Sequence, residues 1–491
     1  MNNRIILYAF TGVTVIISVL LFSSVFNPLL NADDGVTILM LYDFNFPQDL
    51  YFWDQDRGGS IIPMLGQLFY KGFGISLLWS ETITHYLILI LGYFAFASLF
   101  KTNYSKLVFA VIWFLPLYYF LGLLRYSFGL HYSFLGMGIY FITLYQSGIN
   151  HKPIIKYLLL SAIFFMFVLS VWSSDMAIVS ISIVLFYLAF TAYQQTKSVK
   201  QVLKMPETWM TFLATTLGLL AILGLKSTAK LVSASQYNTQ YFNTYDEQIG
   251  AFYLLKKILG TFFSFSVNDP PISIYAYLVV ILLALILMLK IKGQTVRTLS
   301  PWAKVFVLDG LAIIAMVLIS NWAYRNGLAR RYFTGAYISF SIVLLLYLER
   351  VVKNNYTTLV KAGVVLLVMI GAFSTLYSYQ YIRPKHFTPK ANIVQEFEQL
   401  GKIGIIADYW SSYGVSFVNP EYIKATPHDK SAVRNLALVD SVFNQPKLYV
   451  IRDGWMDTFP DTMHQFGRKL TKKGNAFYMG NCWVNEYQVE H

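Results

Sequence analysis

The chain has 491 residues, a formal net charge of +13, 56% hydrophobic residues and only 13% charged ones. Ordinary soluble domains carry roughly 25% charged residues, so this composition excludes a soluble enzyme. A basic excess interleaved with apolar segments points to membrane topology and anionic lipid, not to nucleic acid.

The first apolar run, near 5–27, is long enough to cross a hydrocarbon core of roughly 30 Å. It is too long for a cleaved signal, and Asn27-Pro28 is a poor cleavage site. An acidic segment follows, with Asp33, Asp34, Asp43, Asp49, Asp54 and Asp56 close together. Adjacent carboxylates at a bilayer surface repel each other and the lipid phosphates, so something must offset that cost. Next comes an apolar stretch, 61–70, which Lys71, Gly72 and Gly74 interrupt. It predicts interfacial helices and not a further span.

Further spans fall near 82–100, 107–124, 128–147, 157–174, 176–193, 208–225, 273–290, 305–321, 333–348 and 359–381. That makes about eleven transmembrane helices in an α-helical polytopic protein, because only helices and closed barrels satisfy the backbone in lipid. The alternating pattern of a barrel is absent from the sequence. Basic residues set the orientation. With the N-terminus cytoplasmic, the short inner loops hold Lys101, Lys106, Lys152, Lys156, Lys197, Lys200 and Lys204, with few acids. The opposite face receives the six aspartates, Asp175, Asp246, Glu247 and Asp269. An odd number of spans puts the C-terminal segment outside too.

Two outer segments, 28–81 and 226–272, exceed ordinary connectors. The second is rich in Tyr, Asn and Gln around 236–245, which suits either carbohydrate or an interfacial aromatic belt. From Arg383 onward, 13 basic residues nearly balance 11 acidic ones. Apolar runs at 402–407, 447–451, 475–479 and 484–489 predict strands, and 393–400, 432–443 and 461–470 predict helices. The division is a membrane domain, 1–382, and a small soluble α/β domain, 383–491.

The Asp33-Asp34 pair is the first candidate for chemistry, since a carboxylate can take the proton of an attacking hydroxyl. Either aspartate can equally start a helix as an N-cap. Asp54-Gln55-Asp56-Arg57 reads as a self-neutralising turn, as substrate contacts, or as oxygen ligands of a divalent cation. Arg330, Arg331 and Tyr332 open a late span on the outer side, against the positive-inside bias. Guanidinium forks there match phosphate oxygens. Asp175 and Arg125 lie on the same face and are candidates for substrate binding. Asp175 is also a candidate helix cap, and Asp309 is expected to pair with Lys304 or to be solvated. The single Cys482 excludes an internal disulfide and any cysteine-based metal site, and the histidines have no ligand spacing. The segment Ala407-Asp408-Tyr409-Trp410 after a strand can hold a ligand or dock the tail.

With Asp33-Asp34 after the first span, a long first outer loop, Arg331-Tyr332 opening a late span and a soluble outer domain, the chain resembles the GT-C superfamily of integral-membrane glycosyltransferases. It is similar to the bacterial branch of protein O-mannosyltransferases and aminoarabinose transferases. The resemblance implies a polyprenyl-phosphate sugar donor, a glycan, lipid or protein acceptor, and a bacterial inner membrane. It implies an inverting transfer with Asp34 or Asp33 as base and Arg331 on lipid phosphate. The proline usual soon after the family's Arg-Tyr is absent, and no second acidic motif is evident. A flippase of lipid-linked sugars or a surface-polysaccharide polymerase or ligase are the competing expectations. The clustering of charge at one face and the charge-poor inner spans weigh against the first.

Overall fold

Apolar runs that must satisfy their own backbone in lipid become helices, and each predicted span coincides with one. The computed structural model describes residues 3–125, 127–148, 152–229, 240–264, 270–291, 299–351, 355–378 and 387–490. Among these, eight helices are long and apolar enough to cross a membrane, or nine if one bent pair counts as a span. The bent pair is the span expected at 107–124. Asn103–Phe114 and Tyr118–Arg125 meet at 71°, because Pro116 lacks the N–H that would continue the helix. The helix Ser127–Ser147 has the length of a span, with His131 and several tyrosines diluting its apolarity. The stretch beginning at Ile61 is no span. It forms only the short helix Ile61–Gln67 and a wide turn, Leu68–Gly72, and it ends at Gly74 with φ +67°.

Two compact units emerge, and they do not follow the boundary at 382/383 suggested by composition. One comprises the described residues of Met1–Ser18, Leu87–Leu223 and Thr239–Tyr381. The other comprises those of Val19–Tyr86, Gly224–Asn238 and Ile382–His491. The first unit is a helical bundle whose core includes Phe96, Phe109 and Trp113, the indole donating to the Leu89 carbonyl at 3.0 Å. Within it Asp309 is buried, and its Oδ2 accepts from Tyr132 at 3.2 Å and Ser339 at 2.5 Å. This corrects the expected pairing with Lys304. Five residues along a helix is well over a full turn, so the two side chains face different sides.

The second unit is built on a six-stranded sheet in the order β2-β1-β3-β6-β5-β4. The strands are β1 Ile403–Ala407, β2 Ile423–Pro427, β3 Lys447–Arg452, β4 Thr462–Gln465, β5 Arg468–Met479 and β6 Cys482–Val489. The first three are parallel and the rest antiparallel. The helix expected at 461–470 is instead the β4–β5 hairpin. Phe466 and Gly467 both have positive φ, the two-residue turn that matches strand twist and that no helix contains. Against the sheet lies the acid-bearing helix Ala32–Tyr42. Its Ile38 and Leu41 join Val415, Phe417 and the β1 residues Ile403 and Ile405 in one core. Its Ala32, Val36 and Met40 form a second cluster with Trp53 and Tyr413.

Gly35 makes that seating possible. A Cβ there would overlap the backbone carbonyl of Tyr413, on the helix Tyr409–Ser416. Alanine would gain roughly 1 kcal/mol of helix propensity over glycine, whereas forcing atoms into a filled core costs about 1–3 kcal/mol. Gly35→Ala is therefore expected to lower the melting temperature of the purified protein, and Gly35→Val to lower it further. An unchanged or raised melting temperature in both variants would remove the close approach as a structural requirement.

Candidate functional site

The two adjacent aspartates have separate jobs, set by the start of their helix. The N-cap is Asn31, not either aspartate, and its side chain accepts from the backbone N–H groups of Asp33 and Asp34. Asp34 completes a capping box, its Oδ2 accepting from the Asn31 N–H at 3.1 Å. Asp33 points elsewhere. Its Oδ1 accepts the hydroxyl of Tyr409 at 2.6 Å. Among the described residues, no hydrogen bond reaches its Oδ2.

Tyr409 stands at the start of its helix because Asp408, directly after β1, caps it by accepting from the Ser411 N–H at 2.6 Å. That is the carboxyl edge of the parallel strands, at the point where strand order reverses, which is the usual ligand side of such sheets. Arg434 approaches the same hydroxyl, its Nε donating to Tyr409 Oη at 3.3 Å. The hydroxyl of Tyr413 accepts from the Arg434 backbone N–H at 2.8 Å.

Asp54 lies on the other side of Arg434. The segment 50–60 folds back on itself, with Phe52 N–H donating to the Gly58 carbonyl at 2.8 Å and Ser60 N–H to Leu50 at 3.1 Å. At its tip Asp54 has φ +59°, a left-handed conformation that Asp tolerates better than most residues. This turns the carboxylate inward, where it is 1% exposed and 3.8 Å from Arg434 Nη1. Burial holds the Arg434 guanidinium below its ordinary proton affinity, and Asp33 and Asp54 work in the opposite direction. Asp56 remains outside, loosely paired with Arg57 at 4.0 Å. The turn thus sends Asp54 toward Arg434 while Asp56 pairs with Arg57. As a pair of cation ligands it is divided between two arginines, and among the described residues no group of three or more His, Cys, Asp or Glu side chains is arranged to hold a metal.

Beside the Asp54–Arg434 pair lies a cavity of about 370 Å³, bordered by Asp43, Gln48, Phe52 and Asn435 as well as the ion pair. Asp49 is another wall residue. Its carboxylate is held by the Asn45 N–H at 2.8 Å and the Trp53 indole at 3.0 Å.

The cationic candidates belong to the helical unit. Arg330, Arg331 and Tyr332 form a tight turn, Arg330–Phe333, directly before the helix Thr334–Leu348. The Arg330 guanidinium stacks 3.9 Å over Tyr119, and Arg331 lies 5.4 Å from the Tyr332 ring. Among the described residues, nothing pairs with the buried Nε of Arg330 or the buried hydroxyl of Tyr332. Arg125 ends the short helix Gly122–Arg125. Asp175 precedes Met176, which takes the N-cap position of Ala177–Thr196 without a side-chain bond. The polar segment expected to suit carbohydrate falls partly at 230–239, outside the described residues. Beyond it, Asn243 is tied to the Leu318 carbonyl at 2.9 Å.

Sequence reasoning missed Arg434 and Tyr409 as site residues. Tyr409 lay in a noted post-strand segment. Arg434 carried no signal, because its acidic partners, Asp33 and Asp54, lie about 400 residues away along the chain.

Two measurements test this arrangement. Removing one member of a buried ion pair typically costs about 3–5 kcal/mol. Arg434→Ala is expected to destabilise the protein on that scale, with Asp54→Asn added in the double variant restoring part of the loss. Additive losses would mean that the pair is not coupled. Burial and the neighbouring Asp408 push the Asp453 carboxyl up, from 3.8 to about 6. Its folded form holds the proton more tightly, so its contribution to stability is present at low pH and is lost as pH rises to about 6. Asp453→Asn should accordingly raise the melting temperature at pH 7 and not at pH 4. The opposite order would refute the assignment.

No family model matches the sequence, and no curated protein matches it significantly. Solved structures do. ArnT from Cupriavidus metallidurans in the apo state aligns with a TM-score of 0.57 at 9% identity, covering 98% of this chain and 97% of that one. The same protein bound to undecaprenyl phosphate aligns at 0.56 and 10% identity, with the same coverage. The oligosaccharyltransferase of Archaeoglobus fulgidus, tethered to an acceptor peptide, aligns more weakly, at 0.46 and 11% identity over 91% of this chain and 69% of that one. The chain therefore shares the fold of the ArnT structures, that of a polytopic helical membrane protein carrying a C-terminal sheet domain.

Proposed function

We propose that the protein is an inverting glycosyltransferase of a bacterial inner membrane. It moves a sugar from a polyprenyl-phosphate-linked donor to an acceptor hydroxyl on the outer face, with an aspartate as general base. The reading rests on the fold shared with ArnT together with one observation, the Asp33 carboxylate held by Tyr409 at 2.6 Å with its second oxygen open. A base must be fixed in place and still present a lone pair to the acceptor, and Asp33 meets both conditions. Asp34, engaged in its capping box, keeps the helix start in shape and is the lesser candidate.

In this mechanism the acceptor oxygen attacks the anomeric carbon as the bond to phosphate breaks. The electron pair leaves with the phosphate and the hydroxyl proton passes to Asp33. A lipid phosphate is weakly basic and needs charge stabilisation more than a proton. Arg330 and Arg331 are the proposed phosphate-binding groups of the helical unit, and the Arg330 Nε, which has no partner among the described residues, is the kind of donor a phosphate oxygen satisfies. The reading of donor chemistry draws support from ArnT, which has been captured with undecaprenyl phosphate.

Asp33→Asn should lower transfer from a polyprenyl-phosphate sugar by about 10²–10⁴-fold, the usual worth of general-base catalysis. Asp34→Asn should cost far less activity and about 1 kcal/mol of stability as a weakened cap. Arg330→Ala with Arg331→Ala should raise the donor KM. Full activity in the Asp33→Asn, Asp34→Asn double variant would sink the mechanism.

A further inference from the structure

The cavity beside Arg434 has a chemistry of its own, distinct from that of the arginine turn. Its volume of about 370 Å³ falls in the small-molecule range. Gln48 and Asn435 offer amides that both donate and accept, Asp43 offers a carboxylate that accepts from hydroxyls, and Phe52 offers an apolar ring face. That combination suits a compact molecule with many hydroxyls around an apolar ring. Three carboxylates, Asp43, Asp49 and Asp54, face a single guanidinium, which Asp54 already pairs. An anion entering here would meet three lining carboxylates against one lining guanidinium, an excess of like charge that repels it. Phosphates and uronates are therefore turned away. The wall residue Arg434 is also two hydrogen bonds from the open aspartate, through Tyr409 at 3.3 Å and then Asp33 at 2.6 Å.

We infer that this cavity is the acceptor subsite and that the acceptor is a non-anionic sugar unit, so that the reaction joins sugar to sugar. The inference rests on the glycosyltransferase reading above. The acceptor sugar's hydroxyl oxygen forms the new glycosidic bond, its proton goes to Asp33, and the bond that breaks is the one between the donor sugar and phosphate. A protein hydroxyl or a lipid phosphate as acceptor would leave the amide-lined, acidic cavity without a role. Occupancy also couples to the base, because ligands contacting Arg434 restrain the residue that holds Tyr409 against Asp33.

The test uses the full chain in detergent with saturation-transfer NMR and no donor. The probes are the neutral disaccharides lactose, maltose and cellobiose, with glucuronate as the anionic comparison. Saturation should reach the ring protons of at least one neutral disaccharide and not those of glucuronate. It should be lost in Gln48→Trp, which fills the cavity from an exposed position, with an unchanged melting temperature showing that the variant is folded. Asp43→Asn, a near-isosteric second variant, should admit glucuronate. No transfer to any neutral disaccharide, equal transfer to glucuronate, or transfer that survives Gln48→Trp would each overturn the subsite. Binding in the cavity alongside undiminished turnover in the Asp33→Asn, Asp34→Asn variant would instead overturn the mechanism and leave the sugar site standing.

Discussion

The buried pair of Asp54 and Arg434 is the constraint on which the site depends. A guanidinium and a carboxylate 3.8 Å apart attract by about 4 kcal/mol at an effective dielectric near 20. Taking each out of water costs several kcal/mol, so the pair contributes little net stability and a great deal of definition. Moving either partner would weaken the compensation of the other's buried charge. Arg434 is thereby fixed, Tyr409 is fixed against it, and Tyr409 holds Asp33. The left-handed turn at Asp54 is tolerated because it delivers the carboxylate to that position.

A second, steric condition works alongside. The helix bearing Asp33 lies so close to the helix bearing Tyr409 that only a glycine fits at position 35. The 2.6 Å bond between Asp33 and Tyr409 joins the same two helices. Packing and hydrogen bonding therefore depend on each other. The apolar cluster of Ala32, Val36, Met40 and Tyr413 holds the helices together, and the polar groups at its rim set how they are aligned.

The molecule keeps two kinds of charge apart by residue type. The helical unit offers Arg330, whose buried Nε no described protein group satisfies. The sheet-containing unit offers carboxylates and amides around a cavity, a setting suited to hydroxyls.

Of the expected spans, eight helices, or nine with the bent pair, are long and apolar enough to cross a membrane among the described residues. These were legible because apolar runs leave the backbone in lipid no alternative to a helix. The strands β1, β3 and β6 were legible as short apolar runs between turns. The β4–β5 hairpin was misread as a helix, since Met463, Phe466 and Leu470 fall at helical spacing, and only the positive φ of Phe466 and Gly467 gives the turn away. Of the candidate site, the sequence by itself determined the residue types: paired aspartates after the first span, arginines opening a late one, and a near-neutral soluble tail. Tertiary structure alone decided that Asp34 caps while Asp33 faces Tyr409, and that Asp54 is buried while Asp56 is not. It also decided that Arg434 belongs with them. Composition and periodicity carry information about neighbours within a few residues. A contact between positions 33 and 409, or 54 and 434, is set by how a whole core closes, and no local pattern encodes it.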